Sequence, residues 1–255
     1  MAKLRVADLS AVCSGLKNFP VNEFLKVEGV TKRFGSRFAL KDVGFSIHHG
    51  EVLGLIGPNG AGKTTLLECL AGLMSADAEV IRSAQQVLTH SALKDTLFYL
   101  PDAIVPWGEQ TVKWALGFFE GLYGTPKQKL SDLLAPLRLA EILKSRIDSL
   151  SKGERKRTVL ALGLLTPHPL LLLDEPFDGL DLRQAREVMA LLKSEARNNR
   201  TLLLSIHQLA DAGRVCDRLV LLSAGKVVAE GTLPELQARA NLPDAGVEEI
   251  FLALT

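Results

Sequence analysis

The sequence has few aromatic residues and almost no net charge. Phenylalanine, tryptophan and tyrosine together make up 5% of the 255 residues, and 30 Lys and Arg oppose 29 Asp and Glu, a formal charge of +1. Proteins that bind nucleic acid by broad neutralisation of its phosphates carry a marked excess of basic residues. Because this sequence has no such excess of basic residues, we expect no nucleic-acid partner.

Cysteines and long hydrophobic runs are also scarce. The three cysteines, Cys13, Cys69 and Cys216, show no CxxC spacing, which favours reduced thiols over metal or disulfide roles. The most hydrophobic stretch, residues 158–173, is interrupted by Thr166-Pro167-His168-Pro169 and falls short of the roughly 20 apolar residues of a membrane span. The N-terminus has no signal-peptide pattern. We expect a cytoplasmic chain whose 47% hydrophobic residues form a large buried core.

What the sequence does contain is an alternation of strand and helix patterns. Leu170–Leu173 and Thr201–Ile206 have the continuous apolar character of strands buried on both faces of a parallel sheet, and Leu182–Arg197 between them is typical of a crossover helix. Helical periodicity dominates from residue 111 to residue 165. We predict an N-terminal extension (1–23), an α/β core (24–100 and 166–232), a helical subdomain (101–165) and C-terminal helices (233–255).

A phosphate-binding motif lies within this predicted core. The predicted strand Val52–Ile56 leads into a helix start with the sequence Gly57-Pro58-Asn59-Gly60-Ala61-Gly62-Lys63-Thr64, which fits GxxxxGK[ST]. Glycines let successive backbone N–H groups point at phosphate oxygens, and the helix N-terminus adds partial positive charge. Lys63 would contact the β- and γ-phosphates during catalysis, and the Thr64 hydroxyl would coordinate Mg²⁺.

The fold class that follows is α/β. We predict a P-loop NTPase core, with a mostly parallel sheet and an N-terminal antiparallel β part, into which an α-helical subdomain is inserted.

Polar residues follow two of the predicted core strands. Asp174 and Glu175 come directly after the first, and His207 follows the second. Because the carboxyl ends of parallel strands face the ligand crevice, we predict that Asp174 holds Mg²⁺ through water and that Glu175 is the general base for an attacking water. His207 would reach the same γ-phosphate. Alone, such an acid pair is more often a loop start or helix cap, and a lone histidine only a polar residue at a strand end.

Taken in order, these motifs resemble the nucleotide-binding subunit of an ATP-binding cassette (ABC) transporter, over about residues 24–255. The resemblance implies that ATP and Mg²⁺ are the cofactors. It implies further that Phe34 stacks on adenine and that the loop Gly57–Thr65 holds the phosphates. It also implies that His207 senses the γ-phosphate.

The segment Leu150–Glu154 opens a predicted helix with Ser151 at the N-cap, and as a bare pattern it is only a helix start. Beside the other motifs it resembles the family's LSGGQ signature, with substitutions at its third and fifth positions. The resemblance implies that Ser151 and Gly153 bind the nucleotide of a second cassette, identical or related, in a head-to-tail dimer. Asp181 would belong to the loop that crosses this interface.

One position departs from the family pattern. The glutamine usually found after the strand Phe98–Leu100 is replaced by Asp102. A carboxylate can still coordinate Mg²⁺, and Asp102 is therefore included among the predicted metal ligands.

The segment from Asp102 to Tyr123 carries a large share of the few aromatic residues and is the expected docking surface for a permease. Trp107 is expected to be an exposed anchor. Trp114 and Phe118 are expected to belong to the core of the helical subdomain.

The tail Val247–Thr255 is similar to the ends of cassettes that serve export-type permeases. The resemblance thus implies an ATP-hydrolysing subunit that dimerises on ATP and powers a permease on a separate chain, for export, from the cytoplasmic face of the cell membrane. A soluble ABC-type ATPase that acts as an assembly factor, and an importer ATPase, stay open as alternatives. A small-molecule P-loop kinase would not explain Leu150–Glu154.

Overall fold

The computed structural model describes residues 22–83 and 86–255. All but the last two residues of the predicted extension 1–23 lie outside the described residues, and so does Cys13.

Two β-sheets and their surrounding helices make up the described residues. The strands are β1 (Glu23–Phe34), β2 (Arg37–His48), β3 (Val52–Ile56), β4 (Ala78–Ser83), β5 (Gln86–Val87), β6 (Leu97–Leu100), β7 (Leu170–Asp174), β8 (Thr201–Ile206), β9 (Arg218–Ser223) and β10 (Lys226–Gly231). The helices are α1 (Lys63–Leu70), α2 (His90–Thr96), α3 (Val112–Tyr123), α4 (Lys127–Leu134), α5 (Lys152–Leu165), α6 (Leu182–Arg197), α7 (Leu209–Val215), α8 (Leu233–Ala240) and α9 (Val247–Leu254).

The N-terminal sheet is antiparallel and has the strand order β2-β1-β4-β5. Its two long strands alternate buried and solvent-facing positions, as expected of a sheet with one face on the core. Val27 of β1 lies opposite Phe45 of β2, and both side chains are buried.

The central sheet has the order β10-β9-β3-β8-β7-β6, in which only β10 runs antiparallel to its neighbour. Every residue of β3, β7 and β8 is buried, because helices and the second sheet cover both faces. The predicted fold class, a mostly parallel sheet with an antiparallel N-terminal part, is confirmed.

The parallel register brings the ends of three strands to one edge of the central sheet. Ile56 at the end of β3 pairs with Ile206 at the end of β8, and Asp174 at the end of β7 pairs with Ser205. The chain segments that follow these strands therefore start side by side.

The long helix α5 joins the helical segment to the central sheet. Its capping box is formed by Ser151 and Glu154, and it is buried almost continuously from Lys156 to Leu165. A Cβ on Gly163 would lie 2.3 Å from a methyl carbon of Leu100, so the absent side chain lets α5 approach β6 closely. None of the helices in the described residues has the length and hydrophobicity needed to cross a membrane.

Several short elements were not predicted. The spacing of apolar residues predicts a helix over Lys63–Leu73, whereas α1 ends at Leu70, and Gly72 just beyond it adopts a φ of 67°. Strands β4 and β5 and helices α2 and α7 were not predicted either, because runs of two to seven residues carry too little periodicity. In contrast, β3, β8 and α6 have the predicted bounds.

Arg200 ties the C-terminal end of α5 to the core. The side chain is 7% exposed, and its guanidinium donates hydrogen bonds to the backbone oxygens of Gly163 (3.0 Å), Leu164 (2.8 Å) and Thr166 (2.7 Å). The last carbonyl groups of a helix have no partner within the helix. Arg200 therefore satisfies a helix end that is buried away from water.

We predict that Arg200→Met lowers the free energy of unfolding by about 3 kcal/mol, because buried carbonyl oxygens lose their donors. Chemical denaturation followed by circular dichroism measures the change. The control is Arg197→Met, which removes an exposed side chain with one 3.3 Å bond to the backbone of Lys193 and should cost less than about 0.5 kcal/mol. Equal losses in the two variants would contradict the capping role.

Candidate functional site

The loop between β3 and α1 is shaped by glycines that no other residue can replace without strain. Gly60 and Gly62 have φ values of 80° and 107°, a conformation that residues with a Cβ rarely adopt. A Cβ on Gly62 would lie 2.7 Å from the carbonyl oxygen of Ala39, and one on Gly57 would lie 2.3 Å from that of Leu222. The backbone is thereby held in the form that exposes N–H groups to an anion.

Lys63 is buried and folds back over this loop. Its ammonium group donates to the carbonyl oxygens of Gly57 (2.7 Å) and Pro58 (3.3 Å). Burial lowers the pKa of Lys63, and the negative charges of Glu175 and Asp174 oppose that shift. An incoming phosphate would offer charged acceptors in place of the two carbonyl oxygens.

Asp174 at the end of β7 is buried and accepts hydrogen bonds from several elements. The hydroxyl of Thr64 donates to its Oδ2 (2.9 Å), the hydroxyl of Ser205 donates to its Oδ1, and that of Tyr99 lies 3.4 Å from Oδ2. Burial, followed by the charge of Asp174, raises the pKa of Tyr99, which therefore stays a neutral donor.

The donor set around Asp174 fits Mg²⁺. A carboxylate and a hydroxyl within hydrogen-bond distance are hard oxygen ligands, and Mg²⁺ in nucleotide sites takes one or two protein oxygens and completes its shell with phosphate and water. Thr64 and Asp174 would hold the ion.

Glu175 adopts a left-handed backbone conformation, with a φ of 49°. Such a conformation costs a non-glycine residue on the order of 1 kcal/mol and is frequent at functional sites. Its backbone N–H donates to Ser205 Oγ (3.0 Å), its Oε1 lies 3.8 Å from Lys63 Nζ, and its Oε2 contacts His207 Nδ1. Glu175 thus faces both the lysine and the histidine named from the sequence.

Lys63, Thr64, Asp174 and Glu175 border one open cleft of about 610 Å³, whereas Tyr99, Ser205 and His207 are not part of its lining. Its lining consists of Phe34, Arg37, Phe38, Ala39, Asn59, Gly60, Gly62, Lys63, Thr64, Thr65, Asp102, Asp174, Glu175, Ala224 and Gly225. The cleft brings the phosphate-binding loop, the acid pair and Phe34 together. At 53% exposure, the Phe34 ring is open to solvent and free to stack on a ligand.

Two parts of the cleft were missed in the sequence. Phe38, 42% exposed, faces the cleft beside Phe34, and the alternation along β2 was the available signal. The other part is the turn at Ala224-Gly225, between β9 and β10. In the structure Gly225 donates to the oxygen of Ala61 (3.0 Å) and accepts from the N–H of Lys41 (2.8 Å), so the turn supports the phosphate-binding loop.

Ser151, Gly153 and Asp181 do not line this cleft. They form a separate group, in which Ser151 and Asp181 cap helices α5 and α6. A Cβ on Gly153 would lie 2.8 Å from the oxygen of Gly179, and the exposed Lys152 is ion-paired with Asp178. The predicted signature segment and the predicted interface loop are therefore in direct contact.

Asp102 lies at the lip of the cleft, but its carboxylate has a partner of its own. Oδ1 is 2.6 Å from the ammonium of Lys156 on α5. The ion pair competes with the predicted role of Asp102 as a metal ligand, because the carboxylate already has a full positive charge beside it.

An exposed aromatic surface is formed by residues that follow Asp102 in the chain, namely Trp107, Trp114 and Phe118. Each of the three side chains is 42% exposed, and the rings of Trp114 and Phe118 stack at 5.3 Å. The expectation that Trp114 and Phe118 belong to the core is wrong. Helix α3 buries Phe119 (8% exposed) on its inner face, and residues 114 and 118, four apart, share the outer face.

Comparison with known proteins gives a consistent result. The chain matches the family described as ABC transporter over residues 40–178. It is 32% identical over 219 residues to an uncharacterized ABC transporter ATP-binding protein of Methanocaldococcus jannaschii, which covers 83% of this chain and 79% of the relative. It is 33% identical over 223 residues to the doxorubicin resistance ATP-binding protein DrrA of Mycobacterium tuberculosis, with coverages of 84% and 67%.

A solved structure described as the ATP binding subunit of an ABC transporter superposes with a TM-score of 0.82 at 30% identity. The superposition covers 91% of this chain and 99% of that structure.

Ser205 escaped the sequence analysis, although it joins Asp174 and Glu175. We predict that Ser205→Ala lowers the turnover number for ATP hydrolysis about tenfold, the effect of losing a bond of roughly 1.4 kcal/mol, with a smaller change in ATP affinity. Turnover and equilibrium binding are measured on the same preparation.

The control for Ser205→Ala is Thr201→Val at the other end of β8, where the hydroxyl accepts from the backbone of Gly50 (3.1 Å). Its turnover should match that of the parent. A Ser205→Ala variant with parental turnover would remove Ser205 from the site.

Proposed function

This chain belongs to the ABC transporter family of ATP-binding proteins, which are ATPases coupled to transport, and from that premise we propose that it drives export through a permease carried on a separate chain. The observation that supports the proposal most directly is the cleft in which Lys63, Thr64, Asp174 and Glu175 converge. ATP binding follows from family membership, and the role of each side chain is proposed below.

The phosphate-binding loop and Lys63 receive the triphosphate. Backbone N–H groups of this loop, except at Pro58, which has none, donate to its oxygens, and Lys63 exchanges its two carbonyl partners for the β- and γ-phosphates. Phe34 stacks on the adenine ring, and Phe38 extends the same wall of the cleft. Thr64 and Asp174 would hold Mg²⁺, which would supply positive charge to the phosphates.

Glu175 takes the proton of the attacking water as general base. Its left-handed backbone and its bond to Ser205 aim the carboxylate into the cleft, and Lys63 and His207 contact one carboxylate oxygen each. His207 holds Glu175 in place on the side where the γ-phosphate would lie.

Closure of the site requires a second cassette. Ser151, Gly153 and Asp181 lie outside the cleft of their own chain, which supports a role for them in binding the nucleotide of a partner. ATP-binding subunits of this family generally dimerise and pair with a membrane permease. We assign a head-to-tail dimer to this chain, of identical or related cassettes.

The direction of transport is proposed from the relatives. A relative named for doxorubicin resistance supports export over import. The aromatic surface of Trp107, Trp114 and Phe118, on the helical segment 101–165, is a suitable docking site for the permease, since exposed apolar patches of this kind mark interaction surfaces. The chain would then work at the cytoplasmic face of the membrane.

We predict that Glu175→Gln reduces ATP hydrolysis at least about a hundredfold, because an amide cannot accept the proton of water. ATP binding is retained, so the variant accumulates as a dimer with ATP and Mg²⁺, which size-exclusion chromatography with light scattering detects. Glu248→Gln, an exposed position on α9, serves as the control and hydrolyses ATP normally. Parental hydrolysis by Glu175→Gln would exclude Glu175 as the base.

Replacing both Trp107 and Phe118 by alanine should reduce the fraction of the chain that sediments with membranes of the native cell by at least about tenfold, as expected when two aromatic anchors of an interface are truncated. The ATPase activity of the isolated chain is retained. Leu73→Ala, which removes another exposed hydrophobic side chain (71% exposed), is the control. Unchanged sedimentation of the double variant would rule out this surface as the docking site.

A further inference from the structure

Lys156 is a buried cation that the proposed mechanism does not use. It lies in the second turn of α5, is 7% exposed, and its ammonium donates to both the carboxylate Oδ1 (2.6 Å) and the backbone oxygen (3.3 Å) of Asp102. A buried charge is strongly unfavourable without a partner. The two bonds therefore fix Asp102, two residues beyond the end of β6, to the first half of α5.

Asp102 lies between two cavities. On one side it lines the nucleotide cleft, together with Lys63, Asp174 and Glu175. On the other it borders a smaller cavity of about 400 Å³, whose remaining lining is Ala103, Ile104, Lys152, Arg155, Lys156 and Val159. Three members of that lining are cations, and one of them, Lys156, is the cation that bonds to the Asp102 carboxylate, so this carboxylate is held on the side of the smaller cavity.

The charge of Asp102 would be unfavourable in the cleft if it were not neutralised. Asp174 and Glu175 already place two carboxylates there, opposite the two cations Arg37 and Lys63, and a bound triphosphate adds more negative charge. Like charges that share one cleft repel each other. A third free carboxylate would weaken nucleotide binding.

We propose that Lys156 is a positioning residue of the nucleotide cleft, whose ammonium neutralises Asp102 and keeps its carboxylate off the phosphates and the metal. This inference rests on the proposed nucleotide site and deepens it. The sequence assigned Asp102 to the metal ligands, whereas here it is an anchor that joins the cleft to the helix that begins after Ser151.

A charge-neutralising role of Lys156 and a purely structural role predict different effects on ATP binding. If the pair served only stability, removing Lys156 would lower the melting temperature and leave the affinity of the folded protein for ATP unchanged. If Lys156 neutralises Asp102, the loss of the cation weakens ATP binding, and removing the carboxylate as well restores it.

The test measures the dissociation constant of a fluorescent ATP analogue, in EDTA and in Mg²⁺, for the full chain and its variants. Lys156→Met is expected to raise the dissociation constant about tenfold under both conditions, as for one uncompensated charge near the phosphates. The double variant Asp102→Asn/Lys156→Met should return to within about twofold of the parent. Lys156→Arg, which keeps the charge, should bind as the parent does.

Lys129→Met is the matched control, because Lys129 is also paired with an acid, Glu195 at 3.3 Å, in a region that does not line the cleft. Its affinity should equal that of the parent. If Lys156→Met does not fold, Lys156→Gln replaces it, since glutamine keeps hydrogen-bond donors and loses only the charge.

Three results would overturn the inference. Lys156→Met or Lys156→Gln could bind as tightly as the parent, or the double variant could bind as weakly as Lys156→Met. Asp102→Asn could weaken binding in Mg²⁺ but not in EDTA, which would make Asp102 a metal ligand. Binding by the parent and its loss in Lys63→Ala test the proposed nucleotide site separately, so a failure of that site is distinguishable from a failure of this inference.

Discussion

The carboxylate of Asp174 is the point on which the site depends. Because this carboxylate is buried, leaving it without hydrogen-bond donors would be strongly unfavourable. Thr64 at the start of α1, Ser205 on β8 and Tyr99 on β6 surround it with hydroxyl groups. These contacts fix the phosphate-binding loop against the acid-bearing strand before any ligand is bound.

Cations and acids on this side of the molecule are arranged in pairs. Lys63 lies near Glu175, Lys156 is paired with Asp102, and the exposed Lys152 is paired with Asp178. In each pair the acid lies in the loop that follows β6 or β7. Lys152 and Lys156 are one turn apart on α5, so this helix is attached to both of these loops. A net charge of +1 for the whole chain is compatible with strong local fields of this kind, because salt screens electrostatic interactions between exposed charges beyond about 10 Å.

Much of the fold could be predicted because local residue patterns indicate many of its strands and helices. The strands β3 and β8 are continuous apolar runs, and α6 has a strong amphipathic pattern with Asp181 as its cap, so their bounds agree with the prediction. The orientation of α3 was harder. Trp114 and Phe118 are as hydrophobic as Phe119, and nothing in the composition of the helix indicates which side packs on α5.

By itself, the sequence determined the phosphate-binding loop, the acid pair after β7 and the helix cap at Ser151, since each depends on neighbouring residues and backbone conformation. Only the tertiary structure decided that Ser205 bonds to Asp174, 31 residues away, and that Lys156 pairs with Asp102, 54 residues away. The first contact follows from the register of β7 and β8, and the second from the position of α5 beside β6. A serine on a strand or a lysine on a helix is compatible with many surroundings, and the packing of the elements selects one of them.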